Sequence, residues 1–449
     1  MSERPQVISL PKTLKAASAA WVLYDVANTV YAAVLTYLFF PYIGDLFGFR
    51  TLQGVVNSAS MIAAGICVPV FASLADHTGR ARMYLVVTTL ACIGGLALFG
   101  ASSTPFLVMA AFFVANVGYN AALVFYNSLL ASVAHDRHQG LVSGLGVGFG
   151  YIGTIIIVVL LDLPQQVGYP ATFAISAAIF LSLALPCFLL VSERRVATRK
   201  SFTFELVRKQ FSSLASTLRG LPRDRAVMWF LIGNFFCVDV LNTAIAFFGD
   251  FTRSTFFVNV GSAASPVWQP VGDLTLLGAV IETPGQLLKV AGLTLNVLAL
   301  ICGVLLGFMT DRFGALRIMR LSALFLVVGL LGSALFGGVS VTGYVFSICG
   351  FGALGLAGIW TAGRKLLIEL SPREKLGEYF GLYGITTKLS VLGSAIFAVL
   401  YDVTSELTGD SLVGWKVALA AQSLPLALGL LFLWRVQMVR DRTDELSTP

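Results

Sequence analysis

The sequence predicts an all-α polytopic membrane protein with twelve transmembrane helices, arranged as two repeats of six. Composition, the number of apolar runs and two repeated motifs predict this fold class. The chain of 449 residues is 57% hydrophobic and 12% charged, and its mean hydropathy is +0.84. Long apolar runs in such a chain are typical of membrane-spanning helices rather than of a soluble core. We therefore expect an integral membrane protein.

The apolar runs set the number and direction of the spans. A helix needs about 20 residues to cross the bilayer, and runs of that length begin near residues 18, 52, 83, 106, 140, 171, 226, 286, 315, 341, 377 and 414. Most of the 30 Lys and Arg lie in the tails, the central loop and the even-numbered turns. The positive-inside rule assigns these segments and both termini to the cytoplasm. Because this placement accounts for the net charge of +7, we expect no nucleic-acid partner.

The same runs predict the domain boundaries. Residues 192–225 contain nine basic and three acidic residues and a stripe of apolar residues at helical spacing, which predicts an amphipathic helix on the membrane surface. The expected units are a cytoplasmic tail (1–16), a first six-helix half (17–191), this linker (192–225), a second six-helix half (226–436) with a long outer loop (250–285), and a cytoplasmic tail (437–449).

The first span carries polar residues on one face. Tyr24, Asp25, Asn28 and Tyr31 are spaced at helical intervals, so they share a stripe. A carboxylate facing lipid would cost roughly 2.5–3.5 kcal/mol, so this stripe should face protein or water. The pattern Asp-Val-x-Asn-Thr recurs in the seventh span with Asp239 and Asn242. This repeat predicts two equivalent halves with a site between them.

A second motif occurs in the turns after the second and eighth spans, ASLADHTGRAR and GFMTDRFGALR. It resembles the signature of the major facilitator superfamily, Gly-x-x-x-Asp-Arg/Lys-x-Gly followed by basic residues. An Asp at a helix end can pair with basic residues or with a neighbouring helix N-terminus. We expect a conformational gate here, with a static cap as the alternative. The gate residues are Asp76, Gly79, Arg80, Arg82, Gly307, Asp311, Arg312, Gly314 and Arg317.

Further polar residues lie within the predicted spans. The fourth span holds Asn116, Asn120 and Asn127 on one face, for which interhelical hydrogen bonds and solute contacts remain alternatives. Arg364 and Lys388, with Asp25 and Asp239, are the most deeply placed charges. Unpaired burial of such charges is costly, so they should pair or face a shared cavity. In the functional alternative, a basic residue holds a solute carboxylate and an Asp meets an amine or a coupling proton.

A narrower resemblance covers most of the chain. The segments WVLYDVANTVYAAVLTYLFFPYI, FYNSLLASVAHD and AGIWTAGRKLLIELSPREKLGEYFGLYGITTKLSVLG are similar to the vacuolar amino-acid effluxer (autophagy-related permease) branch of the superfamily. This resemblance implies a twelve-helix permease in the major facilitator fold, and the short loops resemble those of bacterial members. The expected function is secondary active transport of a small polar solute, an amino acid among the candidates, coupled to protons in a bacterial inner membrane.

Rival functions are a drug or metabolite exporter of the same fold and a non-transporting membrane scaffold. The polar stripe favours transport over a scaffold. We expect no enzyme, because no nucleophile–base arrangement and no nucleotide motif is present. The six cysteines fall inside spans without metal-ligand spacing, so we expect no metal and no cofactor. The expected partners are the solute, protons and the lipid bilayer, and the oligomeric state stays open.

Overall fold

The computed structural model describes most of the chain. Outside it lie 1–11, 41, 44–55, 57–58, 62, 66, 69–70, 73–74, 76–77, 103, 161–162, 193–218, 222–223, 261–267, 277, 390–391 and 448–449, and only the backbone is described for 12–15, 165, 259, 279, 387–389, 392 and 440–447. The amphipathic helix expected in the linker, most of the second span and Asp76 thus lie outside the described residues.

The first part of the described chain is helical. Its helices are α1 (Lys12–Val34), α2 (Ala81–Ala97), α3 (Pro105–Ser128), α4 (Leu130–Val133), α5 (Gln139–Val159) and α6 (Leu163–Leu190). A π-helical turn, Leu35–Phe39, extends α1. Within α6, Gly168 has φ 81° and interrupts the helix, a backbone conformation that glycine adopts without steric cost.

The second part contains further helices and a small amount of β structure. Its helices are α7 (Arg225–Phe256), α8 (Pro284–Phe313), α9 (Ala315–Phe336), α10 (Val341–Val345), α11 (Gly352–Leu370), α12 (Leu376–Leu389), α13 (Leu392–Thr408), α14 (Ser411–Ala421) and α15 (Ser423–Ser447). A π-helical turn, Phe346–Phe351, joins α10 to α11. A capping box between Thr283 and Gln286 begins α8, because each side chain accepts a hydrogen bond from the other residue's backbone.

Nine helical segments among the described residues are long and apolar enough to cross a membrane. They are Ala16–Phe39, Pro105–Val133, Asp136–Val159, Gln166–Leu190, Arg225–Phe256, Pro284–Phe313, Ala315–Phe336, Val341–Leu370 and Ser411–Val439. A shorter apolar helix, Ala81–Ala97, is also present. The described chain is therefore predominantly helical, with helices suited to a membrane.

The outer loop expected at 250–285 contains a helical extension and two short β-pairs that the sequence did not predict. Helix α7 continues to Phe256, and two antiparallel pairs follow: β1 (Phe257–Asn259) with β2 (Trp268–Pro270), and β3 (Thr275–Leu276) with β4 (Ala279–Val280). Strands of two or three residues are too short for a two-residue periodicity to be recognised. The loop is anchored, because the guanidinium of Arg253 lies 4.7 Å from the ring centre of Trp268.

Glycines on opposite faces of α5 allow two close helix contacts. A Cβ added to Gly144 would lie 2.2 Å from the Gly303 carbonyl oxygen on α8. A Cβ added to Gly153 would lie 2.4 Å from the Val26 carbonyl oxygen on α1. Helix α5 therefore joins its own half to the second half by backbone contact.

Candidate functional site

A cavity of about 340 Å³ lies between the two halves. Helices α1, α3 and α5 line one side, and α7, α11 and α12 line the other. The lining residues are Asp25, Asn28, Thr29, Ala32, Tyr119, Asn120, Leu123, Val124, Asn127, Val147, Gly150, Tyr151, Ile245, Leu356, Trp360, Arg364, Phe380, Tyr383 and Gly384. A cavity of this size fits a small solute.

An ion pair joins the two halves in this cavity. Nη1 of Arg364, on α11, donates to Oδ2 of Asp25, on α1, at 2.9 Å. Both side chains are less than 10% exposed. Gly146 on α5 leaves room for the carboxylate, since a Cβ there would lie 2.9 Å from Oδ2 of Asp25. The structure therefore brings together one acid and one base of the four deep charges identified in the sequence.

Neutral polar groups in the cavity have unused hydrogen-bonding capacity. Asn28 is 2% exposed, and neither its amide nitrogen nor its amide oxygen has a hydrogen-bond partner among the described residues. The same holds for Oδ1 of Asn127 and the hydroxyl of Tyr383. Buried polar atoms are usually paired, so unpaired ones that line a cavity indicate a site for a polar ligand.

Aromatic side chains complete the wall and were missed by the sequence analysis. Tyr119, Tyr151, Trp360 and Tyr383 line the cavity. The sequence signal was weak, because aromatic residues in spans more often pack against other helices. Tyr151 lies within the glycine-rich segment GFGYIG and Trp360 in GIWTAG.

Two predicted pathway residues lie in the core of the first half, outside the cavity lining. The hydroxyl of Tyr24 is hydrogen-bonded to the hydroxyl of Thr89. Tyr31 packs against Tyr119, with ring centres 4.7 Å apart, and against Phe180. The stripe on α1 thus faces the cavity at Asp25 and Asn28 and the helix interface at the two tyrosines.

The asparagines of α3 also have different environments, since two of them line the cavity and one does not. Asn116 donates its amide to the hydroxyl of Ser60 at 2.7 Å. Asn120 lines the cavity and donates to the backbone oxygen of Asn116 at 2.7 Å. Asn127 lines the cavity as well. Asn116 therefore makes the interhelical bond that was one of the two alternatives.

The second repeated acid lies apart from the cavity lining. The backbone N–H of Gly393, at the start of α13, donates to Oδ1 of Asp239 at 3.0 Å. One turn along α7, Thr243 lies 3.3 Å from the hydroxyl of Ser394, and Asn242 is half-buried. The backbone of Lys388 lies in α12, and its side chain is outside the described residues. The two repeat-related acids thus have different surroundings.

At the end of the bundle that carries the basic turns, here called the basic end, Asp311 bridges the halves. Its Oδ1 accepts from the backbone N–H of Gly140 at 2.8 Å and its Oδ2 from that of Leu141 at 2.7 Å. Nζ of Lys365 lies 2.6 Å from Oδ1. The first backbone N–H groups of a helix lack intrahelical partners and favour negative charge. The second-half acid therefore caps α5 of the first half.

The glycines of the repeated motif share a backbone requirement. Gly79 has φ 61° and Gly314 has φ 91°, a region that favours glycine. Gly307 meets α5, because a Cβ there would lie 2.7 Å from the carbonyl oxygen of Gly140. The motif therefore combines two tight turns with one close interhelical contact.

The basic residues of the motif have separate environments. Arg82 donates to the carbonyl oxygen of Val191, just after α6, at 3.2 Å. Arg312 lies over the ring of Phe313. Arg80 and Arg317 are exposed. Among the described residues, Arg80, Arg312 and Arg317 form no ion pair that bridges the halves.

Two further cross-half contacts at the basic end involve residues that were not predicted as gate residues. Arg373, just before α12, forms an ion pair with Asp136, just before α5. Ser143 on α5 donates to the carbonyl oxygen of Thr361 on α11 at 3.1 Å. A signal exists in hindsight: AHDRHQG and LSPREKLG are equivalent turns of the two predicted repeats, and both carry charged residues.

The family model of the Major Facilitator Superfamily matches residues 26–353 and 282–449. The chain belongs to the Major Facilitator Superfamily. As a member of this superfamily it is an integral membrane transporter rather than an enzyme.

Individual relatives agree with this assignment. The chain is 25% identical over 417 residues to the uncharacterised transporter YxiO of Bacillus subtilis (strain 168), covering 87% of this chain and 89% of that protein. Two solved superfamily structures share the fold. The transporter FucP, in the outward conformation, has a TM-score of 0.66 at 15% identity, with 94% of this chain and 98% of that chain covered. The proton:xylose symporter XylE has a TM-score of 0.64 at 13% identity, with 94% of each chain covered.

Proposed function

We propose that this superfamily member is a secondary active transporter that moves a small polar solute across a bacterial inner membrane by alternating access. An amino acid is the first candidate solute, and a proton gradient is the proposed energy source. The cavity between the halves supports this proposal most directly. It contains the Asp25–Arg364 ion pair, at 2.9 Å, and the amide of Asn28, which has no hydrogen-bond partner among the described residues.

The charges of the cavity support a solute without net charge. Asp25 and Arg364 are the charged groups among the described lining residues, and they neutralise each other. Leaving one charge of a buried pair unpaired costs about 3–5 kcal/mol. A solute with both an amine and a carboxylate, as in an amino acid, could approach both partners and leave neither unpaired. A solute with a carboxylate alone would require Asp25 to take up a proton.

The proposed topology has twelve helices and both termini on the cytoplasmic side. It is supported by the nine segments of spanning length among the described residues, by the shorter α2, and by α12 and α13, which follow one another where the eleventh span is expected. The predicted second span completes the number. The basic residues gathered at one end of the bundle support a cytoplasmic basic end.

The proposed gate would hold the basic end closed through contacts between the halves. Lys365, which is also in the second half, pairs with Asp311, and the bonds from Gly140 and Leu141 to that same carboxylate join the halves. These contacts would have to break when the basic end opens, which supports a gate rather than a static cap. By repeat equivalence, Asp76 is proposed to act in the same way in the first half.

The identity of the solute can be tested by thermal stabilisation of the purified protein. A ligand that binds the folded state raises its apparent stability by mass action. We expect a stabilising compound in a panel of amino acids, peptides, sugars and nucleosides, and we expect Arg364→Ala to abolish its effect. Stabilisation by a solute of another class would remove the amino-acid proposal, and an effect unchanged in Arg364→Ala would remove the ion pair from the binding site.

A further inference from the structure

Two arginines lie beside an exposed tryptophan at the basic end of the bundle, on the surface formed by α9 and α15. Trp434, on α15, is 60% exposed, and the guanidinium of Arg320, on α9, lies 5.2 Å from its ring centre. Arg435, the next residue of α15, is exposed, and its guanidinium lies 4.8 Å from the ring centre of Trp229 on α7. Exposed tryptophans with arginines beside them are typical of the level at which membrane helices meet lipid headgroups.

Arg435 has no acidic partner among the described residues. It takes part in none of their ion pairs, and its guanidinium contacts aromatic rings instead. Arg320 donates to the neutral side chain of Gln437 at 3.4 Å. The described surface therefore presents one guanidinium without an opposite charge at Arg435, and a second guanidinium beside the neighbouring residue, Trp434.

Two exposed apolar stripes run from these arginines toward the other end of the bundle. Helices α9 and α15 pack side by side, and helical spacing places each stripe on one face of its helix. The exposed residues are Leu324, Val328, Leu331 and Leu335 on α9, and Leu424, Leu428 and Leu431 on α15. From Leu424 to Trp434 the helix rises about 15 Å, at about 1.5 Å for each residue. This rise matches half of a hydrocarbon core about 30 Å thick, so the stripe on α15 has the length of one lipid leaflet.

We propose that Arg320 and Arg435 bind the phosphate of an anionic phospholipid in the leaflet at the basic end, with its acyl chains along the stripes of α9 and α15. Guanidinium groups donate charge-assisted hydrogen bonds to phosphate oxygens. An anionic lipid keeps its net negative charge, whereas a zwitterionic lipid such as phosphatidylcholine carries an ammonium group that opposes the arginines. The site therefore favours the anionic lipid. It lies outside the solute cavity and does not depend on which solute is transported.

The apolar stripes favour a lipid over a free phosphate ion as the ligand. A free phosphate would contact the guanidinium groups alone, and charge pairs at an exposed surface contribute little in water. A lipid is held at this depth by its acyl chains, so its phosphate is already at the level of the arginines. The headgroup charge then decides which lipid occupies the surface.

The test measures lipid selectivity at Trp434 in the full-length protein. The protein is reconstituted in mixtures of phosphatidylglycerol with brominated chains and ordinary phosphatidylcholine, because bromine quenches the fluorescence of a tryptophan that it contacts. The part of the signal that disappears in Trp434→Phe reports the proposed site. Its quenching across the mixtures gives the binding constant of phosphatidylglycerol relative to phosphatidylcholine.

We expect the wild type to prefer phosphatidylglycerol at this site. Arg320→Gln and Arg435→Gln should each lower the preference by roughly five-fold, since each removes one positive charge near the lipid surface. The double variant should show almost no preference. Replacing both arginines by lysine keeps the charge and should retain most of the preference, which separates loss of charge from a change in packing.

Arg137 and Lys375 supply the matched control, because both are exposed at the same basic end but lie in the turns before α5 and α12. Changing both to glutamine removes the same charge and should leave the preference at Trp434 unaltered. Equal binding of the two lipids by the wild type would overturn the proposal, and so would a preference that survives in the Arg320→Gln, Arg435→Gln variant. Equal losses in that variant and in the control would overturn it as well.

A final arm distinguishes a lipid from a soluble anion. Inorganic phosphate is added to the reconstituted wild type, and sodium chloride of the same ionic strength is added to a parallel sample. We expect the two salts to have the same effect on quenching, because both only screen the charges. Displacement of the brominated lipid by phosphate but not by chloride would contradict a lipid as the ligand of these arginines.

Discussion

Arg364 and Lys365 are neighbours in the sequence, yet they serve different parts of the molecule. Successive residues of a helix point about 100° apart, since one turn takes 3.6 residues. Arg364 therefore reaches Asp25 in the cavity, while Lys365 reaches Asp311 at the basic end. The partners come from α1 and α8, so this division depends on tertiary placement that no local pattern encodes.

The Asp25–Arg364 pair gives the first prediction. Arg364→Met should destabilise the protein by about 3–5 kcal/mol, because it leaves the carboxylate buried and unpaired. Adding Asp25→Asn to that variant should recover a large part of the loss. The measurement is a double-mutant cycle of unfolding in detergent.

An exposed ion pair serves as the control for this cycle. Arg253 lies 2.7 Å from Asp250, and both side chains are at least 40% exposed. Breaking such a pair should cost only about 0–1 kcal/mol. Equal losses at the two pairs, or strictly additive effects of Asp25→Asn and Arg364→Met, would contradict a buried coupled pair.

A substitution at Asn28 should affect stability and solute binding in opposite directions. Its amide atoms have no partners among the described residues, so Asn28→Leu should stabilise the folded protein by about 1 kcal/mol or more. The same change should weaken binding of the stabilising solute, because the amide is then absent from the cavity. Thermal unfolding with and without the solute measures both effects. A variant that is less stable but binds normally would show that the amide is structural.

At the residue scale the sequence predicted which side chains are polar and deep but not how they pair. Asp25 and Asn28 could be placed on one face by helical spacing, and both line the cavity. Tyr24 and Tyr31 share that spacing but meet the core, because a helix stripe is wide enough to face two neighbours. The hydrogen-bond donor to Asp239 could not be predicted, because it is the backbone N–H of Gly393. Every residue except proline has such a group.

At the scale of elements, α5 connects the gate to the cavity. Its N-terminus binds Asp311, one glycine face packs on α8, and the other packs on α1 beside Asp25. The four-residue spacing of Gly140, Gly144 and Gly148 is typical of close helix packing, and the structure identifies the neighbour as α8. The sequence could not name that neighbour, because a row of small residues is compatible with any helix.

Gly144 tests this role of α5. In Gly144→Ala the new Cβ would lie 2.2 Å from the Gly303 carbonyl oxygen, so α5 and α8 must separate and the basic end should open more often. In a background without native cysteines, a cysteine at the cavity residue Leu123 should react faster with a membrane-impermeant reagent added from the basic side.

The matched control is Gly292→Ala on α8, where an added Cβ would have no neighbour within 4 Å. Alanine there should leave labelling unchanged and favour the helix by up to about 1 kcal/mol. Equal labelling in all three proteins would show that the α5–α8 contact does not control access.

At the scale of the whole molecule, cross-half contacts run from the surface to the cavity. They begin with Asp136–Arg373, continue through Asp311 and Ser143, and end with Asp25–Arg364. All of them join the two halves, so a rocking motion that opens the basic end would have to break the outer ones. The deepest pair lies in the cavity, where a solute could take part in the change.

The fold itself was largely predictable, because membrane spans need long apolar runs and repeated motifs reveal repeated halves. Most observed helices begin within a few residues of the predicted starts. The two short β-pairs after α7 were not predicted. The extension of α7 to Phe256 was not predicted either, because the segment FTRSTF has no apolar periodicity. It continues the helix because it packs against the rest of the protein.

The most direct test of the account is transport by the reconstituted protein. The solute identified by thermal stabilisation is offered to proteoliposomes of the wild type and of Asp25→Asn, with and without an imposed pH gradient. We expect the wild type to accumulate the solute when the gradient is present. If Asp25 carries the coupling proton, Asp25→Asn should lose that accumulation but keep solute exchange. Loss of both activities in a folded variant would contradict the role of Asp25 as proton carrier, and no flux of any stabilising solute through the wild type would contradict the transport function itself.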